Sequence, residues 1–201
     1  MRTRVFSAKC IYFYLFAALL TAVPMKADDP SKEGVVALGL SVAMPMGTLG
    51  NRSSSGFGGS LSCEWALKEK HGIRARLEIA KFGNKTFDGY QWSPNYPPDK
   101  LEGKANAAVG ILDYVHRFVS HDSGFFVFIG VGYGNISVEP DSDWQGQSIS
   151  GSGTCYSAGV GFNFTKNFGI EASAIAAAPY NPSGSGINIY TWQQISIKFR
   201  L

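Results

Sequence analysis

The feature that most constrains this chain is an alternation of apolar and polar side chains with a period of two residues. Successive side chains of a β-strand point to opposite faces of a sheet, so each alternating segment is predicted to be a strand with one apolar face. The pattern is clearest in residues 73–79, where apolar side chains alternate with Arg74, Arg76 and Glu78. We identify segments of roughly ten residues at 34–44, 56–67, 73–83, 104–118, 125–138, 153–164, 168–178 and 191–201.

The connections between these segments alternate between short and long down the whole chain. Short turns at one end of the strands and long loops at the other are typical of barrels that span an outer membrane, with the short turns in the periplasm. A water-soluble β-sandwich does not require this regularity. The short connections are 68–72, 119–124 and 165–167, and the long ones, rich in Gly, Ser, Pro, Asn and Asp, are 45–55, 84–103, 139–152 and 179–190.

The polarity of the strand faces completes the fold prediction. In a membrane barrel the outward face must be apolar, whereas the lumen can hold polar groups. Residues 168–174 set apolar even positions against Glu171 and Ser173, and residues 193–201 set apolar odd positions against Lys198 and Arg200. We therefore predict an all-β fold, an eight-stranded antiparallel up-and-down transmembrane β-barrel in the outer membrane of a Gram-negative bacterium.

The first 27 residues are predicted to be a signal peptide, which leaves 28–201 as the barrel domain. Basic residues precede an apolar run at 11–23, and Ala27 ends a plausible cleavage region. The segment carries four of the 18 Lys and Arg residues and none of the 15 Asp and Glu residues. The mature chain therefore lacks the basic surface that nucleic-acid binding requires.

Charged side chains on the inward faces are predicted to form a network that closes the lumen. An eight-stranded barrel is just wide enough for side chains to fill it, and buried charges are costly unless they are paired. A structural plug and a polar path that opens when pairs exchange are both compatible with this arrangement. The predicted network consists of Glu64, Arg74, Arg76, Glu78, Asp113, Arg117, Glu171, Lys198 and Arg200.

Aromatic residues suggest two further features. Those near the strand ends are expected to form girdles at the two membrane interfaces, namely Trp65, Tyr114, Phe118, Tyr133, Phe164 and Phe168. A second set in the long loops either packs on the barrel rim or contacts an external protein or glycan, and comprises Phe87, Tyr90, Trp92, Tyr96 and Trp144.

Enzymatic and metal chemistry find little support in the sequence. His121, Asp122 and Ser123 are consecutive in a short turn, where they cannot easily act as base, orienting group and nucleophile. Cys63 and Cys155 are predicted to face lipid and lumen respectively and to remain unpaired. We expect no catalytic residue, no metal site and no cofactor.

Three strings of the sequence carry a family resemblance: residues 128–134 (FIGVGYG), 156–162 (YSAGVGF) and 195–201 (ISIKFRL). With them the mature chain resembles the small bacterial outer-membrane β-barrels that include the OmpA transmembrane domain, OmpX-like proteins and opacity-type surface proteins. The resemblance implies insertion as a monomer by the barrel-insertion machinery, contact with outer-membrane lipid, and roles from membrane integrity to adhesion. Members usually end in an aromatic residue, whereas this chain ends in Leu201, with Phe199 two residues earlier.

Three functions follow as hypotheses. The first is a structural and surface-interaction barrel whose lumen is closed by ion pairs. The alternative is a small porin-like channel for ions or small solutes, and the third is a lipid-modifying barrel enzyme.

Overall fold

The chain forms a closed antiparallel β-barrel, as predicted. The structure, a computed structural model, describes residues 34–88, 100–119, 123–141, 149–179 and 189–201. Each strand pairs with its neighbours in sequence, and the last strand pairs with the first. The eight strands are β1 (Val35–Met46), β2 (Ser53–Lys68), β3 (His71–Asp88), β4 (Lys100–Arg117), β5 (Gly124–Asp141), β6 (Ile149–Asn163), β7 (Phe168–Pro179) and β8 (Tyr190–Arg200).

The two faces of the sheet have the polarity expected of a barrel surrounded by lipid. Large apolar side chains cover the outside, where Phe57 is 78% exposed and Ile129 is 64% exposed. Charged side chains lie inside, where Arg76 is only 2% exposed. Water would oppose this distribution, whereas a bilayer favours it.

The strands are longer than predicted at the end that carries the long loops. β3 continues to Asp88 and β4 begins at Lys100, and their pairing includes Lys85 with Gly103. Residues 84–88 and 100–103 were predicted to be loop, and that prediction is wrong. Beyond the bilayer neither face must be apolar, so the alternation ends although backbone hydrogen bonding continues.

The first long connection contains a short helix, α1 (Gly47–Arg52), where the sequence predicted only a loop. Leu49 of α1 is fully buried, and the Ser53 hydroxyl donates a hydrogen bond to the Leu49 carbonyl at 2.9 Å. Gly47 has a φ of +53°, a conformation that glycine adopts without steric cost. In the described ranges no helix combines the length and apolarity needed to cross a membrane.

Candidate functional site

The lumen is the strongest candidate for a functional site, and the side chain of Asp113 on β4 lies at the centre of its charged part. Asp113 accepts hydrogen bonds from Arg74 Nε at 3.0 Å and from Arg76 Nε at 3.1 Å. The Ser157 hydroxyl donates to its other oxygen at 2.7 Å. This carboxylate therefore compensates two buried guanidinium groups at once, which is the condition for keeping them in a site without bulk water.

Further ion pairs extend the cluster around Asp113. Arg74 Nη1 lies 2.6 Å from Glu171 Oε1, and Lys198 Nζ lies 3.7 Å from the other oxygen of Glu171. Arg76 Nη1 lies 2.9 Å from Glu78 Oε2. Three bases and three acids thus form one connected group without net charge.

A second group lies beside the first, nearer the short turns, where Glu64 is the cross-strand partner of Arg74. Glu64 pairs with Arg117, and Arg200 Nη2 lies 4.0 Å from the same carboxylate. The structure thus brings all nine side chains of the sequence-derived network onto the inner face. It divides them into two groups, one neutral and one with a single excess positive charge.

Aromatic rings from β5 also lie in the lumen, beside these charged side chains. They were not predicted from the sequence. Phe126 and Phe128 are buried, and Arg74 Cζ lies 4.3 Å from the centroid of the Phe128 ring. Such a cation–π contact favours the charged guanidinium. The signal was present, because both phenylalanines share the face of β5 that carries Gly130.

Glycines on the inner faces make room for these groups. A Cβ atom at Gly39 would lie 2.8 Å from Lys198 Cδ, so glycine at this position leaves room for the long side chain of Lys198. A Cβ atom at Gly159, however, would lie 2.9 Å from Cε1 of Phe128. On β6 the small residues therefore accommodate aromatic rings, a role that the sequence analysis did not assign.

The other half of the lumen, toward the long loops, is apolar. The sequence predicted a network of charged side chains in the lumen and did not identify this apolar layer. Inward residues of the outer strand halves are small, aliphatic or aromatic. Leu49 of α1 enters from the loop side and packs with them in one cluster. This apolar layer consists of Ala43, Leu49, Ala80, Phe82, Ala105, Ala107, Val109, Ile111, Ile136, Val138, Cys155, Ile175, Ala177, Tyr190 and Trp192.

The cysteines are free and lie on different faces of the barrel wall. Cys155 is fully buried in the apolar layer. Cys63 lies on the outward face of β2 in the register of Leu61 and Trp65, and it is 8% exposed. The prediction of unpaired cysteines is confirmed.

Aromatic side chains surround the end of the barrel that carries the short turns. Phe168 packs between Phe164 and Phe199, with ring centroids 5.5 Å and 5.6 Å away. Tyr114 and Phe118 are exposed on the outer surface of the same rim. On β5, Tyr133 is exposed on the outer surface, and on β2 Trp65 is half-buried.

Several sequence-derived candidates lie outside the described residues. They are Tyr90, Trp92, Tyr96 and Trp144 of the long loops, the turn residues His121 and Asp122, and the leader segment 1–27. Phe87 is part of β3, but its side chain is not described.

A closed barrel of eight strands with an apolar outside and a charged inside defines a small integral protein of the bacterial outer membrane. Residues 14–197 match the model of the outer membrane protein beta-barrel domain family, and the chain belongs to that family. A search of curated proteins gives no match.

Solved structures with the same fold include two bacterial surface barrels. Ail, the attachment invasion locus protein of Yersinia pestis, is 17% identical with a TM-score of 0.53, over 85% of this chain and 99% of that one. The N-terminal β-barrel domain of OprF from Pseudomonas aeruginosa is 12% identical with a TM-score of 0.53, over 83% and 97%. A second structure of Ail, in complex with the heparin analogue sucrose octasulfate, is 16% identical with a TM-score of 0.51, over 84% and 97%. At these identities the likeness extends to the fold alone.

Proposed function

We propose that this outer-membrane protein is a closed barrel that supports the membrane mechanically and presents its long loops to partners outside the cell. The observation that carries the proposal is the double closure of the lumen. Ion pairs around Asp113 fill the periplasmic half, and the apolar layer under α1 fills the outer half. A hydrated ion would have to separate buried ion pairs and then cross a layer of mainly apolar side chains, and both steps are costly.

Planar-bilayer recording tests the closure. The purified wild-type barrel is expected to give no discrete conductance steps above the leakage of the lipid, while a known porin in the same membranes gives them. Reproducible wild-type steps would contradict the closed-lumen proposal.

A porin-like channel is the second candidate, and one observation favours it. Between the charged groups and the apolar layer, Ser41 Oγ and both amide atoms of Gln194 have no hydrogen-bond partner within the described part of the chain. Polar atoms of this kind often bind internal water. If pairs exchange to open a path, Arg76→Glu should raise the conductance, whereas the control Lys104→Glu, in a half-exposed pair with Glu139, should not.

The external partner is proposed to be a protein or an uncharged glycan. The long connections 45–55, 84–103, 139–152 and 179–190 together contain three basic residues, Arg52, Lys85 and Lys100. Their six acidic residues are Asp88, Asp99, Glu102, Glu139, Asp141 and Asp143. Although Ail was solved with a heparin analogue, this charge balance disfavours a sulfated polyanion. The loop aromatics Tyr90, Trp92, Tyr96 and Trp144 suit stacking on a protein or sugar surface.

An array of glycans and host proteins, probed with the barrel in detergent, tests this part of the proposal. Trp144→Ala and the triple substitution of Tyr90, Trp92 and Tyr96 by Ala are expected to abolish captured signals, whereas Lys166→Ala, in a periplasmic turn, should keep them. Binding that depends on heparin and survives both loop variants would contradict the proposed partner class.

Export, assembly and the absence of catalysis are part of the same proposal. Residues 1–27 are removed on export, and the mature chain begins at Asp28 and inserts as a monomer. Intact-mass measurement of the membrane-extracted protein tests the cleavage site, and light scattering in detergent tests the oligomeric state. Lipid mass spectra are expected to stay unchanged on overexpression.

A further inference from the structure

Two histidines face each other on the outer surface of the barrel, close to the periplasmic turns. His71 begins β3 and His116 lies near the end of β4, and the two are direct cross-strand partners. Their Nδ1 atoms are 3.5 Å apart, and the ring centroids are 5.0 Å apart. The Tyr114 hydroxyl lies 2.5 Å from His71 Nδ1. The lumen and its ion pairs do not use any of these groups.

We propose that His71 and His116 bind a divalent transition-metal ion through their Nδ1 atoms, and that Zn²⁺ fits best. Imidazole nitrogens are preferred ligands of Zn²⁺, Cu²⁺ and Ni²⁺. With Zn–N bonds of about 2.0–2.1 Å, two nitrogens of a tetrahedral site lie about 3.3–3.4 Å apart. Adjacent nitrogens of a square-planar site lie roughly 2.9 Å apart. The observed 3.5 Å is nearer to the tetrahedral spacing than to the square-planar one, which favours Zn²⁺ over Cu²⁺.

The surroundings hold both rings in place before any metal arrives. The barrel wall fixes the spacing of the two strands, and Phe118 packs edge-on against His116 with ring centroids 5.1 Å apart. The Tyr114 hydroxyl, 2.5 Å from His71 Nδ1, contacts the same ring nitrogen that the metal would use, so it has to turn away when an ion binds. Preorganised ligands lose little entropy on binding, which raises the affinity.

The site supplies only two strong ligands. In the described ranges no group of three or more His, Cys, Asp and Glu side chains is arranged to hold a metal. The remaining coordination positions are therefore taken by water or by headgroup oxygens at the membrane surface. No local motif in the sequence indicates this site, because His71 and His116 are 45 residues apart and only strand pairing brings them together.

Titration of the folded barrel with ZnCl₂ tests the proposal, with the protein purified through a tag that contains no histidine. The chain has three histidines, so His121→Ala is a matched control. One equivalent of Zn²⁺ is expected to bind the wild type. His71→Ala and His116→Ala should each weaken binding at least tenfold, the double variant should bind no more tightly than either single variant, and His121→Ala should stay within twofold.

A second measurement separates loss of the site from loss of the fold. The mobility difference between unboiled and boiled samples on a gel reports folding for every variant. Zn²⁺ should raise the unfolding temperature of the wild type and of His121→Ala, because binding to the native state stabilises it, and should leave His71→Ala unchanged. No saturable binding by the wild type, or equal binding by the folded double variant, would overturn the proposal.

Discussion

At the scale of single residues, Asp113 shows how a membrane barrel tolerates charge in its interior. Its carboxylate is shared by Arg74 and Arg76, and each arginine has a second acid, Glu171 or Glu78. Apart from the residues at the edges of this group, every charged side chain has two oppositely charged partners. Removal of the Asp113 carboxylate therefore deprives two buried guanidinium groups of a charged partner at once.

Asp113→Ala is expected to lower the free energy of unfolding by about 3–5 kcal/mol, because it leaves buried positive charge without compensation. Urea unfolding in lipid vesicles, followed by the gel-mobility difference, measures the effect. Glu139→Ala is the matched control, since its pair with Lys104 is half-exposed, and it should cost less than about 1 kcal/mol. Equal effects of the two substitutions would show that the ion pairs around Asp113 contribute no more to the free energy of unfolding than a half-exposed pair does.

At the scale of elements, neighbouring strands pack together because large side chains on one strand face glycines on the next. β5 supplies Phe126 and Phe128 to the lumen, and β6 faces them with Gly161 and Gly159. α1 fits in the same way, because Leu49 fills space among the small inward residues at the outer ends of the strands. The large side chains of each element thus occupy space that small residues on its neighbours leave open.

Gly159→Ala is expected to destabilise the barrel by about 1–3 kcal/mol, because the added methyl group overlaps the Phe128 ring and forces repacking. Gly110→Ala is the control: its Cβ atom would meet Leu77 Cδ2 at 3.6 Å, an ordinary contact. Measuring the free energy of unfolding of both variants in the same vesicles tests this prediction. A neutral Gly159→Ala would mean that the ring has room to move.

Leu49→Ala should cost about 2–5 kcal/mol, as expected when a fully buried leucine leaves a cavity. Thr48→Ala, on the exposed side of the same helix, should change stability by less than about 0.5 kcal/mol. Thermal unfolding of the two variants provides the comparison. If they behave alike, α1 does not contribute to the apolar layer.

At the scale of the whole molecule, the bilayer determines which substitutions the outer surface accepts. Val131 lies on the exposed face of β5 and pairs with Leu112 and Tyr156 on the adjacent strands. Val119 is exposed in the β4–β5 turn at the end of the barrel that carries the short turns. The same side chain type therefore occupies hydrocarbon at one position and the interface at the other.

Val131→Arg is expected to cost about 2–4 kcal/mol and Val119→Arg about 0–1 kcal/mol, because the penalty for a lipid-facing arginine falls from the midplane to the interface. Refolding into vesicles, followed by urea titration, measures both values. A similar cost at the two positions would contradict the placement of the barrel in the membrane.

Local alternation was sufficient to predict the number of strands and their faces, whereas the prediction that the short turns lie in the periplasm rests on the alternating lengths of the connections. A period of two is a property of adjacent residues, so Arg74, Arg76 and Glu78 could be assigned to the lumen from the sequence alone. The outer ends of β3 and β4 were not predicted, because polar residues occupy both faces of the strands there. The helix α1 was not predicted either, because six residues with one buried side chain show no helical periodicity.

Only the closed barrel determined which of these side chains meet. Arg74 and Glu171 are 97 residues apart, and Lys198 donates to the Ser60 hydroxyl across 138 residues at 2.5 Å. Such contacts depend on the pairing of β8 with β1 and on the register around the whole circumference, which no local pattern contains. The division of the lumen into charged and apolar halves follows from that register, and the facing pair of His71 and His116 follows from the pairing of β3 with β4. The strands themselves follow from the sequence.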